Sequence, residues 1–246
     1  MLLRSITKHV RDQNWFAVAL DFFIVVAGIL IAFQITNWNE VRSDKSRIEH
    51  RLENVVDDLH ADIAEIEGII QTTERRLSAI YTILDASGNS LPDQYDTPQG
   101  DIIEMPEVPL FESKLPASAA TAIMWLSTLD GNRGGYETLI SSGDLQLIKM
   151  DDLASQIQAY YARAEEISDQ DKSHIRIRDR IFSSLHRLGS GFGQSSLKEL
   201  IEIVRNDKQF AAELSTLSIY DALQIEMMKA FATQAEALIK AIEETK

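Results

Sequence analysis

The sequence predicts an all-α protein: an N-terminal transmembrane helix followed by an elongated antiparallel helical bundle. Three observations carry this expectation. The nineteen residues from Trp15 to Phe33 hold one formal charge, Asp21. From Ile48 to Leu84, apolar residues recur in ten steps over 36 residues, with Thr73 filling the one gap. That spacing is the 3.6-residue period of a straight helix. All five prolines fall between Pro92 and Pro116, so the rest of the chain lacks the residue that breaks helices.

The first element is the anchor. A helix needs about 20 mostly apolar residues to cross a bilayer. At about 1.5 Å per residue, Trp15 and Trp38 stand roughly 35 Å apart, one for each membrane interface. The polar stretch Gln34–Asn39 follows with no small-x-small cleavage site, which argues against a removed signal peptide. The chain divides into a short basic tail (1–14), the anchor (15–38) and a helical-bundle domain (39–246), with a proline-rich loop at 88–117. Within the anchor, Asp21, Val25, Gly28 and Ala32 share one helix face. Gly28 and Ala32 form a small-x-x-x-small pair that lets backbones approach closely. An ionisable residue in a span turns toward protein or snorkels to the headgroups, and both readings of Asp21 stand. The expected partners are membrane lipid and, on this face, a second copy or another membrane subunit.

The formal charge is −14. Residues 1–38 carry Arg4, Lys8 and Arg11 against Asp12 and Asp21, so the remainder is −15. So acidic a domain repels phosphate backbones, and nucleic acid is not an expected partner. The absence of cysteine excludes disulfides, thiolate zinc sites and a cysteine nucleophile.

After the anchor, one helical pattern runs from Asn39 to about Ala86 and stops at Ser87-Gly88-Asn89. The loop 88–117 reads as a connector with extended pieces, and no stretch reads as a clear strand. A short Ala-rich helix is expected over Ala117–Leu129, then a turn over Asp130–Gly135. A second short helix, Tyr136–Ser142, is closed by Gly143. Asp151 or Asp152 is the expected cap of a long helix reaching about Leu188, where Gly189–Gly193 forms a hinge. Ser196 and Glu199 make a capping box. The last helix starts near Asp207, with Phe210, Leu214, Leu217, Tyr220, Leu223, Met227, Phe231, Leu238 and Ile242 as its apolar stripe.

Two blocks resemble a known family. Gly28-Ile-Leu-Ile-Ala-Phe-Gln-Ile-Thr-Asn-Trp-Asn-Glu40 is similar to the N-terminal signature of uncharacterised bacterial single-pass membrane proteins, grouped as a domain of unknown function. Asp21 stands where that family carries an early acidic residue. Gly135-Tyr-Glu-Thr-Leu-Ile-Ser-Ser-Gly-Asp-Leu-Gln-Leu-Ile148 and the pair Tyr160-Tyr161 resemble its second block. The resemblance implies a bacterial inner-membrane protein and no particular activity. Lys and Arg are nearly balanced on the two flanks of the span. The short basic tail favours a cytoplasmic N-terminus with the bulk of the chain periplasmic.

Asp171, His174 and Arg178 occupy three successive seam positions of the helix that starts near Leu153. One reading is a polar layer that fixes helix register. The other is a small-anion pocket, which makes the domain sensor-like and dependent on a partner for output. Asp57/His60 and Asp171/His174 share the i, i+3 spacing of di-metal bundles, but those sites use Glu and need inward carboxylates from two further helices, and Asp57 lies off the seam of its own helix, so no metal is expected. No Gly-x-Ser-x-Gly or His-Glu-x-x-His occurs, so no catalytic residues, enzyme activity or cofactor are expected. Protein–protein contact, as a subunit or scaffold, is the expected mode of action.

Overall fold

The computed structural model describes residues 15–89, 91, 93–96, 100, 102–112, 115, 118–148, 151–191 and 193–245. The basic tail 1–14, the side chains of Trp15 and Asp151, and Pro92, Pro98 and Pro116 lie outside the described residues. Among those described, the chain is helical with one small hairpin. It falls into two units, Met1–His50 and Arg51–Lys246.

Helix α1 spans Trp15–Ser87, and in the first unit every described residue belongs to it. Its apolar side chains there are bare: Phe22, Phe23, Ile24, Leu30 and Phe33 are all more than half exposed. The segment is long and apolar enough to cross a membrane. Asp21, Val25, Gly28 and Ala32 are exposed on it. Trp38 is exposed too, with the Arg42 guanidinium 5.9 Å above its ring.

The second unit packs the C-terminal part of α1 with two other long helices, α4 (Asp151–Arg187) and α6 (Lys208–Glu243). Three short helices fill in around them: α2 (Ser118–Met124), α3 (Gly134–Ser141) and α5 (Leu197–Asn206). Side-chain pairs set the directions. Tyr160 stacks on Phe231 and His174 meets Asp221, so α4 and α6 are antiparallel. Thr73 meets Gln224 and Arg76 meets Asp221, so α1 and α6 are antiparallel as well. α1 and α4 therefore run parallel. Residues 88–150 make this possible by carrying the chain back to the Asp58–Glu65 level of α1. One end of the core is built from Ile80, Ile83, Ile123, Ile181, Leu185, Leu200, Phe210 and Leu214.

Helix ends follow their sequence signals. The Ser196–Glu199 box is formed, and the Asp207 side chain accepts from the Phe210 N–H to start α6. Gly143 and Gly189 adopt φ of 76° and 78°, the left-handed region where a side chain is strained. Asp152 does not cap α4; it lies in the first turn and accepts from Gln156.

Two expectations need correcting. The loop contains an antiparallel hairpin, β1 (Gln94–Asp96) and β2 (Ile102–Glu104), with Tyr95 opposite Ile103. Strands of three residues are too short for a period-2 pattern to stand out from a proline-rich background. The loop then docks on α1, where Ser78 donates to the Pro109 carbonyl at 2.6 Å and Thr82 accepts from the Phe111 N–H at 2.9 Å. The second correction is α2, which stops at Met124 rather than near Leu129. Beyond it the Trp125 carbonyl bonds to Arg76, the Leu129 N–H to Asp171 and the Asp130 N–H to Glu65, contacts to other elements that replace the helical ones.

Candidate functional site: a buried charged layer and a carboxylate clamp

Thr73 and Arg76 on α1, Asp171 and His174 on α4, and Asp221 and Gln224 on α6 all face the bundle interior. Asp221 and Arg76 are 0% and 1% exposed, and Asp171 and His174 are 3% and 4% exposed. Arg76 donates from Nε to Oδ2 of Asp221 at 2.9 Å and from Nη2 to Oδ1 at 2.7 Å. This two-point grip suits a planar guanidinium and a carboxylate. Nη1 of Arg76 donates to the Trp125 carbonyl at 2.6 Å. Nε2 of His174 meets Oδ1 of Asp221 at 2.8 Å. Gln224 accepts from Thr73 at 3.0 Å and donates to Asp171 at 3.3 Å. The Leu129 N–H also donates to Asp171, at 3.2 Å.

Of the three seam residues singled out in the sequence, the structure joins Asp171 and His174 in this layer. Arg178 is apart from them. It is half-buried and bonded to Asp179 at 2.7 Å. The guanidinium inside the bundle is Arg76. Burial pushes the Asp171 carboxyl above its ordinary value, opposed by the Leu129 N–H and then by His174. Burial, then Asp221, pushes the Tyr81 hydroxyl up to about 12.

Arg76, Asp221 and Gln224 were not found by apolar periodicity, because charged and amide side chains are normally assigned to the outer face. A positional signal was present. Continuing the α6 spacing from Leu214 and Leu217 in steps of four and three gives Asp221, Gln224, Met228 and Phe231, all of them buried. The apolar reading chose Tyr220, Leu223 and Met227, which lie toward the surface. On α1, the gap at Thr73 marked the same level.

A second constellation lies nearer residue 58. Asp58, Asp62 and Glu65 stand one turn apart on α1 and hold the Asp130–Asn132 stretch and the start of α3 by their backbone. Glu65 accepts from the N–H groups of Asp130 and Gly131 at 2.8 and 3.3 Å. Asp62 accepts from the Asn132 N–H at 2.6 Å and its side-chain amide at 2.9 Å. Asp58 accepts from the Gly135 N–H at 2.7 Å. The Tyr160 hydroxyl donates to the other oxygen of Asp62 at 2.8 Å. Tyr161 stacks on Tyr136 with ring centroids 4.0 Å apart. Burial raises the Asp58 carboxyl, and the Gly135 and Tyr136 N–H groups oppose this. Burial and the neighbouring carboxylates push both tyrosine hydroxyls of the pair upward.

Chemically, the clamp is a set of carboxylates already occupied by backbone donors. Asp57 and His60 point to solvent. Among the described residues, no group of three or more His, Asp or Glu side chains is arranged to hold a metal ion.

No curated protein and no solved structure matches this chain. A family model does match. Its stretch includes the apolar segment from Asp21 onward, the Asp58–Asp62–Glu65 clamp, the residues it holds and the Tyr160-Tyr161 pair, while Asp171, His174, Asp221 and Gln224 lie beyond it. Since residues 21–167 of the 246 match the model described as Family of unknown function (DUF6090), the chain belongs to that family.

Proposed function

We propose that this is a single-pass protein of the bacterial inner membrane that acts by protein–protein contact, as a subunit or scaffold. The observation that carries the reading is the contrast within α1. Residues 18–41 present large apolar side chains to the outside, while residues 52–84 of the same helix bury theirs. A bare apolar stretch of this length needs lipid or other spans around it. The Asp21–Val25–Gly28–Ala32 face is the part suited to another helix, whether a second copy or a different subunit.

The sensor reading has less support. Asp171 and His174 are engaged with Gln224, Leu129 and Asp221, and Arg178 lies outside their layer. An open groove of about 1290 Å³ runs between the hairpin, α1 and α6, but Glu74, Asp93, Glu104, Glu107 and Glu226 line it against Lys229, which is paired with Glu226. Five carboxylates repel an anion. The charge of −14 disfavours nucleic acid.

Two experiments test this reading. Single cysteines along residues 20–33, in the cysteine-free full chain, are expected to crosslink most strongly at positions 21, 25, 28 and 32. A flat profile, together with unchanged co-purifying proteins in Gly28→Leu, removes the docking face. For orientation, alkaline phosphatase fused to the C-terminus is expected to be active. A silent fusion, with an active cytoplasmic reporter at the same place, reverses the topology.

A further inference from the structure

We propose that the buried layer is a proton-binding site: it takes up one proton on folding and holds it at neutral pH, shared between His174 and Asp171. Charge counting is the basis. Two carboxylates, Asp171 and Asp221, face a single guanidinium, Arg76, and all three are at most 3% exposed. With a neutral imidazole the layer carries a net charge of −1 on side chains that are buried in the bundle. An uncompensated buried charge is what a folded protein avoids, usually by binding a proton.

The remaining titratable groups do not supply the missing positive charge. From α1 they are Arg76 and Tyr81, from α4 Asp171 and His174, and from α6 Asp221 and Tyr220, whose ring lies 6.3 Å from that of His174. Residues 125–129 contribute a backbone carbonyl and an N–H. The Tyr81 hydroxyl is buried without a hydrogen-bond partner among the described residues. A phenol there adds no positive charge in either of its forms.

The geometry limits where the proton sits. Asp221 has three guanidinium contacts and the His174 Nε2 at 2.7–3.0 Å, so its two oxygens are already occupied by donors. A carboxylate only accepts, so Nε2 of His174 already carries a hydrogen toward Asp221. The extra proton then belongs on Nδ1, or on Asp171, which is one helical turn from His174 and whose direct partners among the described residues are amide donors. The raised Asp171 carboxyl agrees with this.

The sign follows from linkage. A proton bound in the folded state and released on unfolding stabilises the fold at low pH, and that stability is lost as pH rises. The unfolded chain releases such a proton above about pH 6.5, the ordinary histidine value. Above that pH the folding constant is expected to fall about tenfold per pH unit until the layer itself lets the proton go.

The test uses the full chain in detergent micelles, unfolded by denaturant at pH 8 in weakly buffered solution. Wild type is expected to release about one proton more than Asp171→Asn, whose layer is balanced by Arg76 and Asp221 alone. Equal release from the two proteins overturns the proposal. If Asp171→Asn does not fold, the wild-type stability between pH 7 and 9 decides. A steep decline supports the site, and a flat profile rejects it.

Discussion

Asp221→Ala is expected to destabilise the bundle by about 3–5 kcal/mol, because it removes the carboxylate that grips the buried guanidinium of Arg76. The other carboxylate of the layer, Asp171, is bonded to Leu129 and Gln224 instead. Arg76 would retain the Trp125 carbonyl and weak contacts to Thr73 and Gln224, and none of these is an anion. His174 would lose its 2.8 Å partner at the same time. For a domain of this size each kcal/mol moves the melting temperature by roughly 2–4 °C, so a drop of about 6–20 °C is expected. Thermal melting of the full chain in detergent, followed by circular dichroism, measures it. The control is the apolar replacement of both partners. Arg76→Met with Asp221→Leu removes both charges and is expected to recover part of the loss. A single variant that melts like wild type would mean that water reaches the layer.

Gly135→Ala has the second large expected effect, through packing rather than charge. A Cβ at this position would lie 2.6–2.7 Å from the backbone C and O of Asn54 and the N of Val55. Those atoms belong to the long helix and cannot swing aside as a side chain could. The start of α3 must therefore move, lengthening the 2.7 Å bond from the Gly135 N–H to Asp58. Overpacking of this kind costs about 1–3 kcal/mol, and a backbone obstacle places it at the upper end. The neighbouring glycine is a sharp comparison. At Gly134 the nearest atom to a new Cβ is Oδ1 of Asp58 at 4.0 Å, so Gly134→Ala is expected to be nearly silent. Melting measures stability, and near-ultraviolet dichroism reports the Tyr136–Tyr161 stack. Equal melting temperatures for the two variants would contradict the close approach of α3 to α1.

The two variants probe different parts of the molecule. The clamp and its glycine lie inside the stretch that defines the family, whereas Asp171, His174, Asp221 and Gln224 fall outside it. Arg76 is on the matched helix, so the charged layer joins the family-matched stretch to the C-terminal helices. In the proposed scaffold, the clamp keeps the Asp130–Asn132 stretch and the start of α3 on α1, and the layer sets the register of α4 and α6 against it.

The sequence by itself determined the helical class, the apolar segment and most of the helix ends. These depend on local physics: residue spacing, capping side chains and the places where proline is absent. The buried seam of α4 was legible from Leu153 to Leu185, except at Arg178. A long, flexible cation one turn from the core can reach solvent, and here it pairs with Asp179. Tertiary structure alone decided that Arg76 is inside and Arg178 outside. Two facing carboxylates from different helices recruit whichever guanidinium the packing brings level with them, and one chain read in order does not contain that level. It also decided that α1 and α4 run parallel. That direction is enforced by Asp58, Asp62 and Glu65 binding backbone N–H groups some seventy residues later, a long-range contact with no local periodicity to announce it. Apolar spacing is a one-dimensional record of burial. Charges that are buried because they are paired appear in it as gaps, and only the fold shows what fills them.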